Sequence, residues 1–381
     1  MAVFRDSVPR TIPAKLLEIN WSLVLLLGLL GMAGAGMLYS LAGGSWSPWA
    51  NDHALRFGVA FVAMLVIAMF PPRFWMGVAY PAYMGALVLL ALVPVIGVEV
   101  NFSQRWLDIG PLRLQPSEPM KIAVALALAR YYHDLPLDKV SNLGGMIVPA
   151  ALIGMPAALI AYQPDLGTTI LLVATGGAII FLAGLSWKII IGAAVPAISG
   201  AIAFVAYGLQ DYQRERVFCF LDPWQDPTGC GYQSIQATIA LGSGGLTGKG
   251  FMEGTQSQLD FLPEKQTDFI FTILGEEFGF VGSIAILAVY ALIIAQSIGI
   301  ATSCKSVFLR LVSMGVATTF ALYVMINVAM VSGMLPVVGV PLPLISYGGT
   351  VILSVLAGFG LVLGAHVHRN ADPPRGTGLF G

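Results

Sequence analysis

Along most of this chain apolar residues run together rather than alternate, and the runs are long. A helix crossing a hydrocarbon core needs about 20 mostly apolar residues. Ten stretches meet or approach that length: 21–41, 53–70, 74–98, 116–133, 143–163, 166–187, 189–209, 278–303, 307–333 and 348–368. The pattern predicts an all-α fold: a polytopic integral membrane protein with ten transmembrane helices, one membrane domain over 1–381. Most connections are short. The exception is 210–268, a polar, glycine-rich loop between spans seven and eight, where about four to six residues is usual. Its scattered aromatics and aliphatics predict a folded cap.

Two segments break the simple pattern. No charged residue occurs from Leu311 to Ala365, yet LPVVGVPLPLISYGG divides that region into two spans. Such irregular backbone is tolerated at membrane depth only if buried in protein or lining a wet cavity. The second segment is 269–303, too long for one span of about 20 residues. Phe278 to Ile300 suffices alone, which leaves 264–277 as an outer lip or a short half-helix.

Composition agrees with a membrane protein. Hydrophobic residues make up 57% of the chain and charged ones 10%, with a mean hydropathy of +0.82; a soluble globular chain carries roughly 25% charged residues. A net charge of −1 gives no footprint for a nucleic-acid partner. The first apolar run is of full span length with no small-residue cleavage site behind it, so it is not read as a secretion signal. Lys and Arg are more frequent on the side that holds Arg5, Arg10, Arg73 and Arg369. Both termini are therefore expected in the cytoplasm, with 210–268 outside. Cys219 and Cys230 share the long loop; they pair if it faces an oxidising compartment, or stay free.

Five constellations carry candidate chemistry. In NFSQRWLDIGPLRLQPSEPMK, 101–121, Ser117 can cap a helix, and Glu118 and Lys121 then lie three apart on one face. Lys121 would sit well inside a span, as a functional group or as an ion-paired anchor snorkelling outward. Arg105 and Arg113 present forks suited to phosphate, and Trp106 suits a membrane interface. In AYQPDLGTT, 161–169, Asp165 is a helix cap or a site acid, and Gln163 offers an amide suited to a sugar hydroxyl. In the cap, Arg214 and Arg216 precede FLDP, and GSGGLTGKGF is either an anion nest or plain flexible chain. In PEKQTDFIF, 263–271, Asp268 is a general base or, with Thr267, a helix cap; Lys265 is a phosphate contact or a solvated charge. Glu276 and Glu277 beyond it read as structural, serving the N-terminus of the next span. PLPLISYGGT, 341–350, adds Ser346, a possible cap, and Tyr347. The expected topology puts all five on the outer face, which argues for an outward site handling a polar, anionic substrate.

The chain resembles the SEDS family (shape, elongation, division, sporulation) over nearly its whole length. The residues that carry the likeness are RW…PSEPMK at 105–121, QPDLGT at 163–168, FLDP…DPTGCGYQ at 220–233, GSGGLTGKGF…GTQ at 243–256, LPEKQTDFIFTILGEEFGF at 262–280 and LPVVGVPLPLISYGGT at 335–350. The PEKQTDFIF and VPLP variants resemble the elongation branch. The resemblance implies a peptidoglycan glycosyltransferase that polymerises lipid II at the outer face of the bacterial cytoplasmic membrane. It implies Asp268 as the essential acid, a class B penicillin-binding protein as transpeptidase partner within an elongation complex, and release of undecaprenyl pyrophosphate. Developing negative charge on that leaving group needs positive partners, for which Arg105, Arg113, Lys121, Arg214 and Arg216 are candidates. A divalent cation, magnesium or manganese, would be held largely by substrate phosphate, since no carboxylate cage is evident. The rival expectation is a lipid II flippase; the outward clustering of ionisable residues favours the enzyme. The Cys219/Cys230 pair departs from the family pattern and has no assigned role.

Overall fold

Nearly every apolar run becomes a helix. The computed structural model describes residues 11–100, 103–110, 112–136, 139–187, 189, 191–192, 199–200, 219–258 and 262–374. After a short α1 (Ile12–Leu17) come α2 (Trp21–Leu41), α3 (Trp49–Met69), α4 (Pro72–Ile96), α5 (Ser117–Asp134), α6 (Leu143–Tyr162) and α7 (Leu166–Leu182). Then follow α8 (Tyr232–Ser243), α9 (Thr255–Gln258), α10 (Ile270–Ser303), α11 (Val307–Val331) and α12 (Gly349–Val367). Among the described residues, seven helices are long and apolar enough to cross a membrane: α2, α3, α4, α6, α10, α11 and α12. Two expected spans fall short of that measure. α7 has only 17 residues, and α5 carries Glu118, Lys121, Arg130 and Asp134. The expected seventh span, 189–209, lies largely outside the described residues.

α5 packs in the interior of the helix bundle. Residues 123–129, AVALALA, are buried all round, as expected of a helix apolar on every face. Its alanines allow close approach by neighbouring helices, and α4, α6, α7, α11 and α12 all pack on it. α3 and α12 form another close pair, in which Gly360 and Gly364 lie against α3 backbone.

The mostly helical architecture has one addition that apolar runs do not signal. β1 (Val98–Val100), β2 (Ser103–Ile109) and β3 (Leu112–Leu114) form an antiparallel sheet in that order before α5. β2 and β3 place Asp108 opposite Arg113. The helix start also differs from expectation, since Ser117 is the first residue of α5 behind a Pro116 cap and its hydroxyl is buried without a partner.

Of the two readings of 264–277, an outer lip or a half-helix, the structure shows the half-helix. α10 contains a break at Gly279, with φ 65° and ψ −161°, which separates 270–278 from the long span that follows. All residues from Ile270 to Glu277 are buried, so this piece is an inserted half-helix and not an outer lip. The glycine-rich segment accounts for the break: Phe280 N donates to Gly245 O (2.9 Å), Val281 N to Leu246 O (3.1 Å), Lys249 N to Glu276 O (3.0 Å) and Gly250 N to Glu277 O (3.0 Å). The segment is therefore neither an anion nest nor slack chain. It pairs with backbone groups on either side of the interrupted helix, as buried peptide groups require.

Candidate active site

The base candidate sits in the turn that feeds the half-helix. Asp268 is half-buried, and its amide donates to Glu264 O at 3.2 Å. Phe269, not Asp268 or Thr267, occupies the N-cap of α10, so the helix-cap alternative fails. One side of the carboxylate faces Gly339, where a β-carbon would stand 3.4 Å from Oδ2. The main chain is held from two directions. Asn327 of α11 donates from Nδ2 to Asp268 O at 2.8 Å and to Val340 O at 2.7 Å. Ser346 Oγ donates to Thr267 O at 2.5 Å and accepts from Leu342 N at 2.8 Å.

Tyr347 joins the same junction. Its amide donates to Gln266 O at 2.8 Å, and its hydroxyl donates to Asp52 Oδ2 at 3.2 Å. The Arg56 guanidinium lies 5.3 Å from the ring centroid and also packs on Gly349. Burial pushes the Tyr347 phenol above its ordinary range, with Arg56 opposing, so the hydroxyl stays protonated at neutral pH and donates a hydrogen bond. A β-carbon at position 349 would stand 3.0 Å from the Arg56 side chain, so the two lie in close contact.

One helical turn from Asn327, Tyr323 closes a second cluster. Lys121 Nζ lies 2.7 Å from Glu118 Oε1, and both side chains are almost fully buried. Tyr323 donates to both Glu118 oxygens, at 2.9 and 2.8 Å, and its hydroxyl also meets Lys121. This triad lines a small pocket. Phe320, Val355 and Phe359 form part of its largely apolar wall.

The third cluster ties the sheet to the helices. Arg105 donates to Pro164 O at 2.6 Å and Gln163 O at 3.4 Å, and lies 3.7 Å from Asp165 Oδ2. Asp165 caps α7 through Thr168 N and Oγ1, at 3.1 and 2.9 Å. Gly167 then packs against Val338 O, where a β-carbon would come within 2.8 Å. The sheet, the 163–165 turn, the 335–340 loop and the Asp268 turn thus form one continuous assembly.

A family model for the cell cycle proteins FtsW, RodA and SpoVE matches residues 14–371. The chain belongs to the FtsW/RodA/SpoVE family. Peptidoglycan glycosyltransferase MrdB of Escherichia coli K12 is 47% identical over 332 residues, covering 85% of this chain and 89% of that protein. Stage V sporulation protein E of Bacillus subtilis is 34% identical, covering 93% and 97%. Among solved structures, a chain described under the coordination of polymerization and crosslinking by a peptidoglycan synthase complex is similar at a TM-score of 0.80 and 31% identity. That match covers 93% of this chain and 99% of the other. RodA of Thermus thermophilus, solved also as an aspartate-to-alanine variant, matches at a TM-score of 0.70 and 28% identity. Its coverage is 93% of this chain and 98% of that one.

In this FtsW/RodA/SpoVE member the expected site residues divide by what they touch. Asp268, Thr267, Ser346 and Tyr347 come together. So do Glu118 and Lys121, which form the ion pair that the sequence allowed, and Lys121 is buried, which excludes the alternative that it snorkels outward. Arg105, Gln163 and Asp165 form a latch: the Gln163 amide is spent on Leu90 O at 3.0 Å, and Asp165 is the helix cap. Ser346 does not cap α12, whose N-cap is Gly348. Trp106 is half-buried in β2 opposite Val98, and Arg113 is exposed, 3.3 Å from Asp108. Lys265 is buried, which excludes a freely solvated charge. Arg214 and Arg216 lie outside the described residues. Cys219 and Cys230 are joined, with α-carbons 6.0 Å apart. Glu276 and Glu277 do not serve a following helix. Glu276 Oε1 takes Lys249 Nζ at 2.7 Å, and Glu277 Oε1 takes Ser40 Oγ at 2.5 Å. Among the described residues no group of three His, Cys, Asp or Glu side chains could hold a metal ion.

Asn327, Tyr323 and Arg56 escaped the sequence reading. The first two lie four residues apart on one face of α11. A carboxamide and a phenol at that spacing within the charge-free stretch from Leu311 to Ala365 were the available signal.

Proposed function

We propose that Asp268 is the general base with which this chain, a peptidoglycan glycosyltransferase of cell elongation, polymerises lipid II. The observation that supports this most is its setting. A half-buried carboxylate stands at the mouth of a half-helix, facing a glycine, with its main chain held by α11 and by the Ser346 loop. Asp268 takes the proton from the acceptor's GlcNAc 4-hydroxyl. That oxygen forms a bond to MurNAc C1 of the donor, and the C1–oxygen bond to undecaprenyl pyrophosphate breaks with its electron pair leaving on the diphosphate. Attack opposite the leaving group converts an α-linkage to β.

The positive partners are narrower than the sequence suggested. Arg105 is committed to the 163–165 turn, and Lys121 is sealed by Glu118 and Tyr323, so among the described candidates Arg113 is the one most able to reach a phosphate. A divalent cation would supply charge neutralisation to the diphosphate, but the described residues offer it no ready cage, and no step here depends on one. The membrane is the bacterial cytoplasmic membrane with the site on its outer face. The partner is a class B penicillin-binding protein, in keeping with the synthase complex to which one structural relative belongs. Other elongation-complex proteins would join them.

Purified protein with lipid II and its cognate transpeptidase should produce glycan strands, and Asp268→Ala should abolish them while keeping partner binding and elution volume. Strand synthesis by Asp268→Ala defeats the base assignment. Movement of lipid II across vesicles without polymerisation would favour a flippase instead.

A further inference from the structure

Asn327 is a fully buried carboxamide in α11, inside the region from Leu311 to Ala365 that contains no charge. Both of its Nδ2 hydrogens go to main-chain carbonyls of separate segments, Asp268 O at 2.8 Å and Val340 O at 2.7 Å. Two carbonyls on that side fix the amide orientation, since an oxygen there would face two acceptors. The two donated bonds have a geometric consequence. Val340 follows Gly339, the residue that faces the Asp268 carboxylate. One side chain therefore holds both the backbone of the base and the loop that walls it.

The same helix face carries Tyr323, one turn away and bonded to Glu118. Four residues of helix rise by about 6 Å. α11 thus holds the Asp268 turn and the Glu118–Lys121 pair at a set spacing, through two side chains with rigid support.

We infer that Asn327 is a positioning residue for Asp268, fixing where the carboxylate meets the acceptor hydroxyl. The inference rests on Asp268 being the base. Misplacement of a reacting group by about 1 Å costs on the order of a hundredfold in rate.

The test uses the full-length chain with its transpeptidase partner and lipid II. Asn327→Leu, of similar size but without donors, should lower kcat about a hundredfold while KM for lipid II stays within about threefold. Should that variant fold poorly, Asn327→Asp keeps the volume. Its carboxyl donates only when protonated, so its rate relative to wild type should rise as pH is lowered. A purely structural role predicts fewer folded molecules, each with normal kcat, and a ratio that does not move with pH. Wild-type kcat per folded molecule in either variant overturns the inference. The Asp268→Ala control separates the two readings. If it polymerises, the base assignment falls. If it is inactive while the Asn327 variants are normal, only the positioning role falls.

Discussion

Lys121→Met should cost this protein stability as well as activity, and the two losses can be separated. Glu118 and Lys121 are each 3% exposed, and their charged atoms are 2.7 Å apart. Methionine removes the ammonium and leaves a carboxylate in a dry interior with the Tyr323 hydroxyl. Removing one partner of a buried pair costs about 3–5 kcal/mol, because the remaining charge is uncompensated. Replacing both charges avoids that penalty, so Glu118→Gln with Lys121→Met should regain most of the loss, since the glutamine oxygen still accepts from Tyr323. A double-mutant cycle should therefore show a coupling of about 3 kcal/mol. The four proteins would be unfolded by denaturant in detergent micelles, with polymerisation of lipid II measured in parallel. Recovered stability without recovered synthesis assigns the charge to the reaction; recovery of both assigns it to the fold. A Lys121→Met protein as stable as wild type would refute the reasoning, because it would mean the ammonium is already solvated.

Other substitutions probe the frame around the base. Gly279→Ala puts a β-carbon 2.3 Å from Gly248 N, a backbone clash that no rotamer relieves; size-exclusion chromatography should show little folded protein, and a monodisperse active variant would count against the clamp. Lys249→Met leaves Glu276, whose side chain is 0% exposed, without its ion pair. Because Lys249 is partly solvated, a loss of about 2 kcal/mol in the same unfolding assay is expected. Ser346→Ala removes the link to Thr267 O and should cost about 1 kcal/mol but about tenfold in turnover; a stability change with no rate change would make the link merely structural. Replacing Cys219 and Cys230 together by Ser opens a bridge between residues 11 apart, worth about 3 kcal/mol by loop closure. Unfolding should be easier while synthesis by the folded protein stays near wild type, and an unchanged intact mass on reduction would show that no bridge had formed.

That the run after Asp268 must break was legible before any fold was known. The run from Phe269 to Ser303 exceeds a membrane thickness and must break somewhere, and the rise per residue of a helix makes that a matter of arithmetic. That the segment after Asp268 is a buried half-helix and not an outer lip was not legible, because that depends on residues 245–250, whose glycines read as flexible chain or as an anion nest. Asp165 was readable as a cap from its neighbours alone, since capping is a contact across three residues. Ser346 looked like a cap for the same local reason and is not one; its hydroxyl is claimed by Thr267, 79 positions away.

Span length, the mostly helical class, the candidate base and the motifs of the family were all present in the linear chain. Each depends on hydrophobic run length or on residues within a few positions of one another, where chain geometry leaves few options. The choice among roles was made only by packing. Tyr323 meets Glu118 across 205 positions, and Asn327 meets Asp268 across 59. Arg105 turns from a presumed phosphate fork into a latch on Pro164, 59 positions on. A polar side chain carried below water takes whatever partner the fold brings to it, since leaving it unpaired is so unfavourable, and that partner is a property of the tertiary structure.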